Sequence, residues 1–357
     1  MSSRSRRALP ETSTRIPADL PGLPRSKEKT PPGEFELIAR LCAGLKTGRR
    51  TLIGPGDDCA ALAPIKRPLL VTIDSMVEGV HFRLPWFQPE ILGRKALTVN
   101  LSDIAACGGW PVACVVNLAL PDHLESHFLE RLYAGLRRAA AAAELDLVGG
   151  NITRGGALAI TIALIGEARR SILRRDAARR GDQIFVTGTI GDAAAGLRIL
   201  EAKLRARGVV RRFLVERFLN PTARLRAGQR LSAIRPAPAA VDLSDGLWQD
   251  LGHILEASRV AAEIDADSIP LSAAYRAAVG DDPELALGGG EDYELLFCTR
   301  AGWSEAQLTR RLGVAVHRIG RIVPGTGGIR LVGGRGSVRP PRIAGFDQLR
   351  SRGRGAP

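Results

Sequence analysis

Acidic residues recur along this chain at the ends of apolar segments or directly beside glycines. A carboxylate in such a position can project into a shared cleft, whereas a solvated acidic face would mix Asp and Glu with Lys and Arg at helical spacing. The neighbours here are glycines such as Gly56, Gly246 and Gly290. The pattern predicts that distant segments fold together around a site for several metal ions and a phosphate group. The acidic positions are Asp57, Asp58, Asp74, Asp103, Asp242, Asp245, Glu291 and Asp292.

The length and the charge of the chain set its broad class. At 357 residues it exceeds the size of a single hydrophobic core, so about two domains are expected. The net charge is +14, but residues 1–32 and 335–357 carry nine of these charges. Basic, proline-containing ends are more typical of solvated disordered extensions than of binding modules. The sequence therefore does not favour nucleic acid as a partner.

Cysteine usage and hydropathy indicate the compartment. The five cysteines are odd in number and include no C-x-x-C pair, which argues against a disulfide framework and against a zinc site. The longest apolar runs, near residues 112–121 and 157–166, are shorter than the ~18 residues of a membrane span. The first residues lack the apolar core of a secretory signal. We expect a reduced, cytoplasmic protein without a membrane anchor.

Apolar periodicity predicts the order of helices and strands. Both halves of the chain mix the two, so the class is α/β or α+β with two domains. In the first half we predict a helix from Gly33, a strand at 69–74, a helix at 91–107, a strand at 112–120, a helix at 125–144 and strands at 146–150 and 157–166. In the second half we predict strands at 183–187, 239–243, 294–299 and 314–319 and a helix at 247–258. The expected division is a disordered basic tail at 1–32, domains at 33–170 and 171–349, and a basic tail at 350–357.

Two motifs of the first half carry metal-binding chemistry. In I-G-P-G-D-D-C-A at 53–60, the glycines let backbone amides face an anion while the paired carboxylates coordinate its cation, although a plain Gly-Asp turn fits as well. In L-V-T-I-D-S, Thr72 and Asp74 lie on one face of a strand. A buried carboxylate there needs a partner, and magnesium is the simplest. Asn100 and Asp103, three residues apart on a helix, share a face and can join the same site.

Two motifs of the second half supply further polar groups. In V-D-L-S-D-G-L, Asp242 and Ser244 project to one side of a strand, and Asp245 begins a helix whose N-terminal amides suit a phosphate. A helix N-cap would explain Asp245 but leaves Asp242 unexplained. In G-G-G-E-D-Y-E-L, Glu291 and Asp292 follow three glycines, which let the loop approach a ligand closely.

Taken together and in this order, the motifs resemble those of the thiamine-monophosphate kinase family. That family shares a superfamily with aminoimidazole ribonucleotide synthetase and selenophosphate synthetase. The resemblance covers about residues 33–349, and the combination of motifs is highly specific. The segments that carry it are G-E-F-E-L-I-A-R-L, G-D-D-C-A-A-L at 56–62, T-I-D-S-M-V-E-G-V-H-F, K-A-L-T-V-N-L-S-D-I-A-A-C-G, V-D-L-S-D-G-L and G-G-G-E-D-Y-E-L.

The resemblance implies an activity and an assembly. The activity is ATP-dependent phosphorylation of thiamine monophosphate to thiamine diphosphate, the last step of thiamine diphosphate biosynthesis, with several Mg²⁺ ions as cofactors. The assembly is a homodimer in which the N-terminal mixed sheets, flanked by helices, pair across the two-fold axis. The N-terminal domain would bind ATP and magnesium, and the C-terminal domain would be an α/β sandwich.

By motif match, the resemblance also assigns residue roles. The implied metal ligands are Asp58, Thr72, Ile73 through its carbonyl, Asp74, Asp103, Asn151, Asp242 and Asp245. The implied ATP contacts are Tyr133, Gly150, Asn151, Arg175 and Ser244, and the implied substrate contacts are His81, Glu291 and Phe346. The family usually has Asp where this chain has Asn151, so the metal cage carries one negative charge fewer.

The implied reaction suits a site that is rich in Asp and has no general base. Both reactants are anions, so cations must relieve their repulsion. A phosphate monoester has a second pKa near ~6, so its attacking oxygen is already deprotonated at neutral pH. Two other functions stay open. One is a different ATP-dependent enzyme of the same superfamily, and the other is a non-catalytic paralogue that binds thiamine phosphates or nucleotides, to which Asn151 points.

Overall fold

The structure is a computed structural model that describes residues 33–45 and 47–333. The tails expected at 1–32 and 350–357, and the expected substrate contact Phe346, lie outside the described residues. The described chain folds into a four-stranded sheet and a six-stranded sheet with flanking helices. The α/β class with two sheet-based halves is therefore confirmed. No helix in the described part of the chain is both long and apolar enough to span a membrane.

The N-terminal half is built on the four-stranded sheet. Its elements are α1 (Glu34–Cys42), β1 (Thr51–Ile53), β2 (Ala61–Leu62), β3 (Leu69–Val77), α2 (Pro89–Ala106), β4 (Trp110–Leu120), α3 (Ser126–Ala142), β5 (Asp146–Arg154) and β6 (Ala159–Glu167). The sheet has the order β3-β6-β4-β5, with β4 and β5 parallel and the other neighbours antiparallel. Strands β1 and β2 form a separate antiparallel pair.

The two faces of this sheet have different surroundings. Along β6, Ile160, Ile162 and Leu164 are buried in the core that α2 and α3 complete, as the period of two in a strand requires. The opposite face carries apolar side chains that are exposed. Val71 is 72% exposed and Ile73 is 64% exposed, so this face of the N-terminal half offers an apolar surface.

The C-terminal half is built on the six-stranded sheet, in the order β12-β9-β11-β7-β10-β8. Its first elements are β7 (Gln183–Thr187), α4 (Asp192–Leu200), α5 (Gly208–Leu219), α6 (Leu225–Leu231), β8 (Ala239–Asp242), α7 (Leu247–Ser258) and β9 (Ala261–Asp265). The remaining elements are α8 (Ala273–Val279), α9 (Glu284–Gly288), β10 (Leu295–Thr299), α10 (Glu305–Leu312), β11 (Val316–Val323) and β12 (Ile329–Val332).

Helices cover both faces of the six-stranded sheet. On one face, Val186 and Val241 pack in the same cluster as Leu251 of α7. On the other face, Phe185 and Phe297 stack with ring centroids 5.5 Å apart, and residues of α6 and α10 complete that cluster. The C-terminal half is thus the expected α/β sandwich.

Helix α2 lies against both halves of the protein. One side packs on α3, and its C-terminal part contacts α6 and β8. The crossing with α6 is close, because a Cβ built on Gly228 would lie 2.0 Å from the carbonyl oxygen of Ala105. Asn100 and Asp103 occur in this part of α2. The polar residues of α2 therefore lie where the two halves meet.

Candidate active site

Four carboxylates meet beside the C-terminal part of α2. Asp74 comes from β3, Asp103 from α2, Asp242 from the end of β8 and Asp245 from the loop that follows. The charges of the other three all act on Asp74. The hydroxyl of Thr72 donates a hydrogen bond to the carboxylate of Asp103. Because residues two apart on a strand share a face, β3 presents Thr72 and Asp74 to the same site.

Asn100 holds β3 against α2. Its side-chain oxygen accepts a hydrogen bond of 3.1 Å from the backbone amide of Asp74. Its side-chain nitrogen donates one of 3.1 Å to the carbonyl of Ala96. An amide can do both, whereas a carboxylate has no donor. Asn100 is 1% exposed, so its role is to fix the backbone of Asp74 rather than to face a ligand.

Burial and mutual repulsion make the acid cluster electrostatically unfavourable. Burial raises the pKa of Asp74 to about 7, and the charge of Asp103 adds to this effect. Burial likewise raises the pKa of Asp242 to about 7, again with a contribution from Asp103, while Arg175 acts in the opposite direction. A set of desolvated carboxylates in this arrangement has a strong need for cations.

Replacing Asp242 with asparagine is expected to flatten the pH dependence of stability in the metal-free protein. A carboxyl whose pKa rises from 3.8 to about 7 on folding retains a proton that the unfolded chain has lost, so its contribution to stability falls as pH rises through that window. Thermal unfolding of the metal-free variant should lose less stability than wild type between about pH 4 and about pH 8.

The same variant should lose its response to magnesium. At about pH 8, above the pKa of about 7 of Asp74 and Asp242, we expect magnesium chloride to raise the wild-type unfolding midpoint by about 2–4 °C. We expect little change in Asp242→Asn. An equal rise in both proteins would exclude Asp242 from the metal site.

Asp245 does not cap helix α7. The N-cap is Gly246, and no side chain caps it. The carboxylate of Asp245 instead accepts a hydrogen bond of 3.1 Å from Gln249. The backbone amides of Asp245 and Gly246 donate to Asp250, at 3.1 and 3.0 Å. An internal carboxylate thus occupies the two amides that precede α7, and the expected phosphate contact at the N-terminal amides of the helix stays a prediction.

Asp250 and His253 are polar residues of the site that the sequence reasoning missed. Side-chain atoms of Asp245, Asp250 and His253 that can bind a metal all lie within 4.8 Å of one another. Burial raises the pKa of Asp250 to about 8, and the charges of Asp245 and Asp242 add to this. The available signal was the spacing D-x-x-x-x-D-x-x-H, which places Asp250 and His253 on one face of α7 beside Asp245.

A second polar group adjoins the acids and contains Lys95, Glu291 and His81. The Lys95 amine lies 2.6 Å from the carboxylate of Glu291. Burial raises the pKa of Asp245, and the charge of Glu291 adds to this, so the two carboxylates lie within electrostatic range of each other. Burial lowers the pKa of His81, and Glu291 opposes this. Sequence reasoning missed Lys95, although a lysine within an apolar stretch of α2 was a visible signal.

Arg175 and Ser244 also lie with the acids. Arg175 begins a short 3₁₀ helix, Arg175–Ala177, and its charge lowers the pKa of Asp242 and Asp245 against the effect of burial. Its carbonyl accepts a hydrogen bond of 2.7 Å from Ser258 at the end of α7. The carbonyl of Ser244 accepts one of 2.8 Å from the amide of Glu291.

Gly150 and Asn151 lie on β5, at the opposite edge of the sheet from β3. Three strand spacings, about 14 Å, separate these edges. A Cβ built on Gly150 would lie 2.1 Å from the carbonyl of Val116, so the position accepts no side chain. Asn151 is exposed and donates a hydrogen bond of 2.8 Å to Asn117. The structure therefore does not bring Asn151 into contact with the four acids.

Three other expected site residues have different surroundings. Asp58 is exposed in the loop between β1 and β2. Tyr133 is 7% exposed within the N-terminal core. The side chain of Ile73 is 64% exposed, on the face of β3 opposite Asp74, so only its backbone carbonyl can take part. Their assigned roles stay predictions.

Two family models match the chain, one for each half. The model described as AIR synthase related protein, N-terminal domain, matches residues 56–168. The model described as AIR synthase related protein, C-terminal domain, matches residues 179–332. The acid cluster draws residues from both matched segments. The fold and the site thus define an AIR synthase-related protein with both of its domains.

Individual relatives show which family within this class the chain resembles. Thiamine-monophosphate kinase of Salmonella typhimurium is 44% identical over 296 residues, which cover 81% of this chain and 87% of the relative. Thiamine-monophosphate kinase of Aquifex aeolicus is 40% identical over 269 residues, covering 74% and 85%. The chain belongs to the thiamine-monophosphate kinase family.

Solved structures agree with this assignment. The crystal structure of thiamine-monophosphate kinase from Stenotrophomonas maltophilia K279a has a TM-score of 0.73 at 39% identity, covering 85% of this chain and 96% of that one. The structure of AaThiL complexed with AMPPCP and TMP has a TM-score of 0.68 at 35% identity, covering 87% and 96%. E. coli HypE, a hydrogenase maturation protein, has a TM-score of 0.69 at 21% identity, covering 88% and 97%. The likeness to HypE concerns the fold alone and carries no information about the substrate.

Proposed function

We propose that this protein transfers the γ-phosphoryl group of ATP to the phosphate of thiamine monophosphate, which yields thiamine diphosphate and ADP. The observation that carries the proposal is the convergence of Asp74, Asp103, Asp242 and Asp245 at the junction of the two halves. Family membership supports the choice of substrate, as does the related structure of AaThiL complexed with AMPPCP and TMP.

The donor atoms of this junction suit magnesium. Mg²⁺ prefers oxygen ligands, and the cluster offers four carboxylates together with the hydroxyl of Thr72. Burial and repulsion raise the pKa of Asp74 and Asp242, so the ionised cluster favours added positive charge. Asp58, the carbonyl of Ile73 and Asn151 are further proposed ligands. When bound, magnesium ions neutralise phosphate oxygens and stabilise the charge of the transferred group.

The remaining residues would bind and orient the two reactants. Arg175 is the cationic side chain beside Asp242 and Asp245, and a guanidinium suits phosphate oxygens. Ser244 directly precedes Asp245 in the sequence, and Gly150, Asn151 and Tyr133 complete the proposed ATP contacts. His81 and Glu291, with Phe346, are the proposed contacts to thiamine. Because burial lowers the pKa of His81, this imidazole is neutral at neutral pH and can hydrogen-bond without adding charge.

The proposed reaction requires no protein group to remove a proton. An oxygen of the thiamine monophosphate phosphate attacks the γ-phosphorus of ATP, the bond from that phosphorus to the β–γ bridging oxygen breaks, and ADP leaves. The attacking oxygen belongs to a group with a second pKa near ~6, so it is ionised at neutral pH. The task of the protein is to align two anions and to hold the positive charge between them.

The direct test is an assay of purified full-length protein with ATP, thiamine monophosphate and magnesium chloride. Chromatography should detect thiamine diphosphate and ADP in equal amounts. Omission of magnesium, or addition of a chelator, should abolish product. If the protein binds both reactants but forms no thiamine diphosphate, the non-catalytic paralogue is the correct description. If ADP forms only with a different acceptor, the protein catalyses another reaction of the superfamily.

Replacing Asn151 with aspartate is expected to lower the magnesium concentration that gives half-maximal activity by about 3–10-fold, since ligand charge tunes the affinity of an oxygen site. A titration of activity with magnesium at saturating substrates measures this. The matched control is Asn117→Ala, which breaks the hydrogen bond between the two amides without adding charge. If both variants shift the magnesium requirement equally, or neither shifts it, Asn151 is not a metal ligand.

The homodimer is also proposed, with the exposed face of the four-stranded sheet as its interface. Val71 and Ile73 on this face are 72% and 64% exposed, and an apolar surface on a sheet face is typical of protein contact. Val71→Asp should convert the dimer to a monomer in light scattering after gel filtration. Val209→Asp is the control, because Val209 is 71% exposed but lies on α5 in the C-terminal half. A wild-type monomer, or a Val71→Asp dimer, would contradict the proposal.

A further inference from the structure

Lys95 is a charged side chain with no exposed surface, in the middle of helix α2. Lysine is almost never fully buried unless it is paired. Its amine lies 2.6 Å from the Glu291 carboxylate and donates a hydrogen bond of 2.7 Å to the carbonyl of Phe218. It also lies 3.7 Å from the centroid of the Phe218 ring, a cation–π contact. An anion, a carbonyl and an aromatic face thus enclose the ammonium group.

Glu291 is held from its backbone as well as from its side chain. Its φ is +75°, a left-handed conformation that is costly for a residue other than glycine and persists only where the surroundings impose it. Its amide donates to the carbonyl of Ser244 at 2.8 Å. A Cβ built on the preceding Gly290 would lie 2.1 Å from the same carbonyl. The backbone at Glu291 therefore packs directly against the loop that carries Ser244.

The electrostatic surroundings of Glu291 explain why it needs a cation. Burial raises the pKa of Asp245 and the charge of Glu291 adds to this, so Glu291 and Asp245 repel each other. Lys95 is the cation that contacts Glu291 directly. Burial lowers the pKa of Lys95, and the negative charge of Glu291 opposes this effect. The pair is thus mutually stabilising, and removal of Lys95 would leave the Glu291 carboxylate beside the acids without its paired cation, free to move away from them.

The side chain of Glu291 is 25% exposed, whereas that of Lys95 is not exposed. Only Glu291 can therefore face a bound molecule. Thiamine monophosphate offers a cationic thiazolium ring and an amino group on its pyrimidine ring, and both are attracted to an ionised carboxylate. His81, whose pKa responds to the charges of Glu291 and Lys95, lies in the same group.

We infer that Lys95 is a positioning residue for the thiamine part of the substrate: it holds the Glu291 carboxylate in place and directed into the site without itself touching the substrate. The inference rests on the proposed function. It predicts that loss of Lys95 affects the binding of the two reactants differently. Loss of Lys95 weakens binding of thiamine monophosphate, while ATP, whose proposed contacts are the acids and Arg175, binds as before.

The test uses Lys95→Met, which removes the charge and keeps most of the side-chain volume. KM and calorimetric Kd are measured for thiamine monophosphate and for ATP. We expect both constants for thiamine monophosphate to rise about 10–100-fold and those for ATP to change by less than about 3-fold. Unchanged constants for thiamine monophosphate overturn the inference. So do equal changes for both reactants together with a lower unfolding midpoint, since a purely structural lysine would produce that pattern.

Arg131→Met is the matched control. Arg131 on α3 pairs with Glu90 on α2 at 2.8 Å, so it also joins α2 to another element by an ion pair. The pair lies at the other end of α2 from Asp103. The control should leave both reactants' constants at wild-type values. A rise in the thiamine monophosphate constants equal to that of Lys95→Met would assign the effect to α2 as a whole and overturn the inference.

A double variant covers the case in which Lys95→Met does not fold. Lys95→Met with Glu291→Gln has no unpaired buried charge, and it is compared with Glu291→Gln alone. If Lys95 acts through Glu291, thiamine monophosphate should bind the two proteins with affinities within about 3-fold of each other. A much weaker binding by the double variant would show an independent role for Lys95 and overturn the inference.

The binding measurements separate this inference from the proposed reaction. A wild-type protein that binds thiamine monophosphate but forms no thiamine diphosphate contradicts the proposed function, and the calorimetric constants of the variants still decide the role of Lys95. A wild-type protein that forms product while Lys95→Met retains normal affinity contradicts the inference alone. If the wild type binds no thiamine monophosphate, both are wrong.

Discussion

Asp74→Asn is expected to lower kcat for thiamine diphosphate formation by about 10²–10³-fold while the protein remains folded. Asp74 interacts with the other three acids, so the substitution removes one oxygen charge from the centre of the proposed magnesium site. It also removes a carboxyl whose pKa burial and repulsion raise to about 7. At neutral pH and above, the metal-free variant should therefore unfold at the same temperature as wild type or higher.

The matched control for Asp74 is Asp146→Asn. Asp146 is a half-buried carboxyl at the start of β5 in the same sheet. It accepts hydrogen bonds from the amide of Gly48 at 2.8 and 2.9 Å and from the hydroxyl of Thr51 at 2.6 Å. These contacts hold the chain next to β1, so the control should lose stability and retain kcat. Equal losses of activity and stability in Asp74→Asn would make Asp74 structural and contradict its role in the site.

Much of the secondary structure was predictable because one-sided burial imposes a period on the sequence. The ranges predicted at 183–187 and 247–258 agree with β7 and α7. The strand predicted at 314–319 lies at Val316–Val323, where a register shift between Arg318 and Gly320 interrupts the alternation. Strand β9 was missed, since A-A-E-I-D places a charged residue in its centre. Glu263 is tolerated there because Arg321 and Arg330 pair with it.

The acids themselves were visible in the sequence, but their partners were not. The period of two placed Thr72 and Asp74 on one face of β3, and the structure joins that face to α2 through Asp103. Which helix covers which strand depends on the whole topology, so the contacts of Lys95 could not be deduced. For the same reason the sequence could not reveal that Asp250 occupies the amides before α7. Local periodicity determines on which face of a helix or strand a residue lies. Only the tertiary fold determines which other elements pack against that face.

A buried ion cluster lies directly beyond Glu291, around Glu294. Glu294 has no exposed surface. It accepts hydrogen bonds from the hydroxyl of Thr187 at 2.6 Å, from Arg217 at 3.1 Å and from Arg224 at 2.7 Å through Nε. A second nitrogen of Arg224 also contacts it. Arg217 and Arg224 are only 18% and 21% exposed. Arg217 also lies 3.7 Å from the carboxylate of Asp192. Arg224 pairs with Glu294, so it depends on Glu294 for compensation of its charge.

Glu294→Ala is expected to lower the free energy of unfolding by about 3–5 kcal/mol, the usual cost of leaving a buried charge without its partner. Urea unfolding followed by circular dichroism measures this. Asp176→Asn is the control, because its pair with Arg174 lies at the surface and should contribute little. The double variant Glu294→Leu, Arg224→Met removes the pair of Glu294 and Arg224 and leaves Arg217 beside Asp192, so it should recover most of the loss if unpaired charge is the cause. A double variant as unstable as Glu294→Ala would instead assign the loss to packing. Because β10 begins at Leu295 and Glu291 lies three residues before Glu294, the cluster also anchors the loop on which the proposed thiamine contact depends.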